Sequence, residues 1–382
     1  MKFIMKLINA LLVTASLTQA HPKPHKSDRA LYFLDSDPQG ASVVSLSIAK
    51  DGSLGKPQRT STGGRGLIGN NMNGPVKMDP LFSQGSIVVS GNRLFTVNAG
   101  SNTLAAFHIP KENPAHPVLL GEPVDTVGTA PNTVAYSLKN KLACVANTGT
   151  KPGVQCFTVS DCDGLKPQGN LRPLPVFHQT SPPTGPPNTV SNILFNPSET
   201  ALFVTIKGNG MESGFVYAYK VENGYVSEEA VKSQPNNLPV AFGMSFISDA
   251  SAVVSTPAYG AAFVSIADDL TVLTKTNITV PKQMATCWTA TSAGSSSVYL
   301  LDAAVPDVTA LNTETMAIGR TLPGYAAGKG NFDAIISGSK LYALQAAPAI
   351  AVFDLRHNSY GPKVIDLSGL GNRASWTGMA VY

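Results

Sequence analysis

The sequence predicts an all-β protein, a seven-bladed β-propeller, from three observations: a hairpin pattern written seven times, a short apolar run preceding six of the hairpins, and a last run whose hairpin lies at the other end of the chain. The clearest copy is Gly91 to Ile109, GNRLFTVNAGSNTLAAFHI, in which two alternating β-favouring runs flank the turn formers Asn98, Gly100, Ser101 and Asn102. The others are ALYFLDSD with SVVSLSI, KLACVANT with GVQCFTV, ALFVTIKG with GFVYAYKV, SAVVSTPA with AAFVSI, SVYLLDAA with DVTALN, and KLYALQAA with AIAVFDL. Equivalent positions fall at Leu31, Leu94, Leu142, Leu202, Ala252, Val298 and Leu341, roughly 45 to 60 residues apart, the period of propeller blades. A sheet repeated this often exposes its edges unless it closes into a ring.

The runs SIVVS, NTVAYS, NILFNP, GMSFIS, CWTATS and DAIISG precede the later hairpins, and GMAVY closes the chain. Each is read as an inner strand. The hairpin at Leu31 lacks an inner strand and Gly378 to Tyr382 lacks a hairpin, so the two ends complete one blade and tie the ring.

Taken in order, residues 1–20 read as a secretory signal peptide: Lys2 and Lys6, then LINALLVTASL, then Thr18-Gln19-Ala20 with small residues at the cleavage positions. A membrane anchor needs about 20 apolar residues, more than this run offers. Residues 21–382 then form one propeller domain, secreted or in the lumen of the secretory pathway, with no membrane span. Charged residues are 14% of the chain, against about 25% in ordinary globular proteins. The net charge of +4 is spread without a Lys/Arg run, which argues against nucleic acid as a partner.

Of four cysteines, Cys144 and Cys156 fall opposite each other when their hairpin is folded about Thr150, which predicts a disulfide. Cys162 has no local partner, and Cys287, beside Trp288, reads as a buried thiol. Asn277-Ile278-Thr279 is an N-glycosylation sequon, whereas Pro197 spoils Asn196-Pro197-Ser198. Two segments exceed the repeat: Thr60 to Gln84, and Asp161 to Asn188, where SPPTGPP follows His178. Long loops on a rigid propeller are places for function, or cover for the rim.

Gly64, Gly66 and Gly69 match G-x-G-x-x-G by spacing, but no strand feeds the loop and no helix leaves it. The hydrolase elbow G-x-S-x-G, H-E-x-x-H and C-x-x-C are absent. In a propeller, the connections entering the inner strands and the hairpin tips gather on one face, the default site. Its candidates are Asn98, Asn102, Asn147, Asn192, Lys207, Asn209, Phe242, Tyr259, Trp288, Asp302, Phe332, Gln345 and Trp376. Amides and aromatics dominate and carboxylates are scarce, which points to small, apolar substrates and away from a hard metal or a paired-carboxylate mechanism. No cofactor is expected.

Over nearly all of residues 21–382 the chain resembles the secreted fungal lactonase-like seven-bladed propellers, often labelled carboxymuconate cyclases. The resemblance rests on LFTVNAGSNTLAAF, LACVANTGTKPGVQCFTV, SNILFNPSETALFVTIKG, PVAFGMSF and ATCWTA. In the bacterial gluconolactonase and muconate-cyclising relatives a histidine opens the strand matching SNILFNP, with arginine and glutamate nearby; here Asn192 stands in its place, and an amide is no base at neutral pH. Related propellers of tropolone sesquiterpenoid biosynthesis direct hetero-Diels–Alder closure between a quinone methide and a terpene. That chemistry needs alignment and a hydrogen-bond donor rather than a base.

The resemblance therefore implies a cofactor-independent cyclase of secondary metabolism, most concretely a hetero-Diels–Alderase. Asn192 and Lys207 would be its donors, and Asn98, Phe242, Tyr259, Trp288, Phe332, Gln345 and Trp376 would bind substrate. The alternatives are a lactonase or muconate-cyclising enzyme with His178 as replacement base, and a non-catalytic secreted binding or surface protein.

Overall fold

The computed structural model describes residues 27–160, 164–174, 179–209, 211–292, 294–356 and 361–382. The segment read as a signal peptide, together with Cys162 and His178, lies outside them. Seven antiparallel sheets follow one another around a ring. Their inner strands are Trp376–Val381, Ile87–Ser90, Pro131–Ser137, Val190–Phe195, Met244–Ser248, Thr286–Ala290 and Asn331–Ser337, which define blades 1 to 7 in that order.

Blade 1 is completed across the chain ends. Trp376–Val381 pairs antiparallel with Ala30–Asp35, matching Leu31 to Val381 and Asp35 to Trp376. Ala30 and Tyr382 exchange backbone hydrogen bonds of 3.2 and 2.9 Å. Apolar clusters fill the spaces between neighbouring blades. Each blade buries side chains on both faces, which explains second strands such as Ala30–Asp35 and Leu142–Asn147 that are buried at every residue.

In blade 3, Cys144 pairs with Cys156 in register and the two form a disulfide, as the hairpin reading predicts. Cys287 is buried and free, and burial raises its thiol pKa, keeping it protonated. The longer segments need a correction. Gly164–Pro173 is the outer strand of blade 3 and Gln58–Ser61 that of blade 1, so the true insertions begin after them. Both lie on one face, clasped where Asn70 N–H donates to the Pro183 carbonyl and Gly185 N–H to the Asn70 carbonyl. Among the described residues no helix is long and apolar enough to cross a membrane.

Candidate functional site

Call the face holding the hairpin tips and the entries to the inner strands the upper face. The first insertion dives into the channel there. Asp79, Leu81, Phe82 and Ser83 are all buried. The channel wall meets the carbonyls they carry: Asn132 Nδ2 donates to Leu81 O at 3.2 Å, Lys207 Nζ to Phe82 O, and Trp288 Nε1 to Ser83 O at 3.2 Å. A segment with no ladder of its own must satisfy its backbone groups this way. The upper mouth is therefore closed by a plug, Met78–Ser86.

The aromatic candidates stand around this plug. Trp288 packs against Phe242 and Phe332 with ring centroids 5.1 and 5.0 Å apart. Lys207 lies 4.4 Å over the Phe242 ring, and Arg373 bridges Phe332 and Trp376. Phe242, Trp288, Phe332, Trp376 and Lys207 are all buried. Lys207 also donates to Thr189 Oγ1 and Val190 O, so its three protons are spent on protein. Burial pushes the Lys207 ammonium down and the Asp79 carboxyl up, and the attraction between them opposes both shifts.

The polar candidates at the ends of the second strands fasten hairpins to the preceding connections. Asn98 Nδ2 donates to Thr103 Oγ1, Asn147 Nδ2 to Gly153 O, and Asp302 accepts from Met284, Ala285, Ala304 and Val305 N–H. Asn102 accepts from Ala130 N–H and Asn209 from Met211 and Glu212 N–H. Gln345, at the corresponding position in blade 7, is fully buried, but its side-chain amide has no hydrogen-bond partner among the described residues. Tyr259 is apart from the channel, its hydroxyl donating to Asn237 O at 2.7 Å with Asn277 Oδ1 3.0 Å away.

An open cavity of about 410 Å³ occupies the channel on the other side of the plug. Asn196, Pro197 and Glu199, from the turn after the blade 4 inner strand, line its rim, so it opens on the lower face. Its floor is polar: Gln84, Asn192, Ser245, Thr289 and Asp333. Gln84 joins the plug to the wall, donating to Thr289 O at 2.9 Å and accepting from Thr289 N–H at 3.0 Å and, through its carbonyl, from Asn192 Nδ2 at 3.1 Å. Ser245 donates to Thr289 Oγ1 at 2.8 Å. Among the described residues, the second Asn192 N–H and the Thr289 hydroxyl proton have no acceptor.

Asp333 is the unusual group. Its carboxylate accepts from Gly85 N–H at 3.3 Å and Ala334 N–H at 2.8 Å. No cation within ion-pair distance is found for it among the described residues. Burial pushes its pKa up to about 7, against the opposing effect of those N–H donors. Its backbone is left-handed, φ 68°, at a bulge that breaks the register between Asn331 and Ala334. At the matching bulge in the inner strand of blade 1 stands Gly378, also with φ 68°. Glycine takes that conformation freely, and aspartate takes it more readily than most residues yet at a cost.

No family model matches the sequence, and no curated protein matches it either. Solved structures match throughout. A candidate 6-phosphogluconolactonase from Bacteroides fragilis superposes with a TM-score of 0.63 at 14% identity, covering 94% of this chain and 99% of that one. The periplasmic gluconolactonase of Pseudomonas aeruginosa gives 0.64 at 12% identity, covering 92% and 99%. Its fold is that of the lactonase-like propellers. A candidate 6-phosphogluconolactonase from Bacteroides uniformis agrees, with 0.60 at 16% identity over 89% and 98%. At such identities the likeness is one of fold, and the site must be argued from side chains.

On this lactonase-like scaffold, Asn192 shares the lower cavity with Asp333, Gln84, Ser245 and Thr289, none of which the sequence reading singled out. The one available signal was the aspartate opening DAIISG where two of the other inner-strand runs, GMSFIS and GMAVY, open with glycine.

Proposed function

We propose that the protein is an enzyme that opens or closes a lactone ring in the lower cavity, with Asp333 as the general acid and base. One observation carries this reading: a buried carboxylate with no cation partner among the described residues, on the cavity floor, in the left-handed backbone conformation that blade 1 gives to Gly378. Structures keep such costs where they serve a purpose. For ring opening, Asp333 takes a proton from water as the water oxygen attacks the lactone carbonyl. The oxyanion accepts from Asn192 Nδ2 and the Thr289 hydroxyl, and the proton passes from Asp333 to the departing ring oxygen. Closure is the reverse. The neighbours named as lactonases, and a disulfide suited to an oxidising compartment, support a lactone-active enzyme of the secretory pathway.

The hetero-Diels–Alder reading draws its support from the cavity's apolar walls and from Asn192 as a neutral donor. The aromatics it would use at the upper mouth are covered by the plug. It predicts turnover that does not depend on Asp333, and the alternative with His178 as base predicts dependence on His178.

Turnover of a lactone panel by the full protein and by Asp333→Asn and His178→Ala separates the three. Loss of about 100-fold or more in Asp333→Asn alone supports the proposal. Full activity in that variant overturns it.

A further inference from the structure

Resting on the lactone reading of the lower cavity, we infer that its substrate is a neutral ring bearing an apolar body, and that phosphorylated or carboxylated rings are rejected. Among the described residues lining the cavity there is no lysine or arginine, and the acids are Asp333 on the floor and Glu199 at the rim. The walls between them are Ile87, Val134, Ile193, Leu194, Met244 and Ile335.

The nearby cations are engaged elsewhere. Lys207 lies behind the plug with its protons spent, and Arg373 donates to the carbonyls of Gln345 and Trp376 on the same side. At the rim, Lys139 Nζ donates to Ser198 O, and Arg93 sits 3.1 Å from His108 Nδ1. An anion entering this cavity would lose its water, meet two neutral donors and face two carboxylates. Buried anions are held by charged donors, and without them desolvation dominates. A neutral carbonyl asks only for the two donors, and an alkyl or aryl body gains from the walls.

The test is equilibrium binding at pH 8 to the full protein, by calorimetry, of δ-decalactone and of a counterpart carrying a carboxylate at the end of the same tail. The neutral ring should bind about tenfold tighter or more. Glu199→Gln should raise the affinity of the carboxylated probe by about threefold. Equal or tighter binding of the anion, or no binding of the neutral probe at millimolar concentration, overturns the inference. Turnover in Asp333→Asn judges the catalytic reading separately: binding preference with unchanged turnover keeps the substrate class and removes the base, and anion preference with lost turnover does the reverse.

Discussion

Gly85 N–H donates to Asp333 Oδ2 across 3.3 Å, so the segment that closes the upper mouth of the channel also holds the carboxylate in the lower cavity. The plug is thereby part of the site, and the channel is a pocket with a floor.

Stability should reveal the cost of that carboxylate. Aspartate ordinarily titrates near 3.8, and burial pushes Asp333 up to about 7. Between those values the folded chain holds a proton that the unfolded chain has released, so rising pH across this window lowers stability. Asp333→Asn removes the charge and suits the left-handed backbone. Its melting temperature should match the parent at pH 4 and exceed it at pH 8; a loss at pH 8 would assign Asp333 a structural role.

The plug should depend on Lys207. Lys207→Met leaves the carbonyls of Phe82 and Val190 and the Thr189 hydroxyl without their donor, a loss on the order of 3 kcal/mol. Both tryptophans of the chain, Trp288 and Trp376, are buried around the plug, so acrylamide quenching of their fluorescence reads its opening. Quenching should rise in Lys207→Met, and unchanged quenching would contradict the assignment.

Ring closure gives a third expectation. Deleting Gly378 to Tyr382 removes most of the inner strand that pairs with Ala30–Asp35. The protein should then lose cooperative unfolding by calorimetry, whereas trimming a dangling end would leave it intact.

The blades, their closure and the Cys144–Cys156 pair follow from alternation and register, which are periodic and local. The plug does not, since NNMNGPVKMDPLF carries no period and its burial depends on channel walls supplied by blades far along the chain. Asp333 was hidden by its bulge: Phe332, one residue earlier, packs on Trp288, and a bulge re-aims the next side chain in a way alternation cannot foresee. Asn98 and Asn147 looked like a polar mouth because their recurrence reflects how hairpins are fastened rather than what is bound.

Asn277 should carry an N-glycan. It is exposed on the outer strand Val272–Thr279, and its Oδ1 takes the Tyr259 contact, leaving Nδ2 free for the sugar. Mass spectrometry of the protein from a eukaryotic host, before and after glycosidase treatment, should show a loss of mass confined to the Asn277 peptide; an unmodified peptide would contradict it.

If Asp333 moves the proton, the pH dependence of kcat/KM for lactone opening follows its ionisation. For the parent protein it should rise with pH and level off with an inflection near about 7, following ionisation of Asp333. The Asp333→Asn profile should be lower by about 100-fold or more and lack that inflection. A parent profile that is flat from about pH 5.5 to 8, or an inflection that persists in Asp333→Asn, would contradict the account.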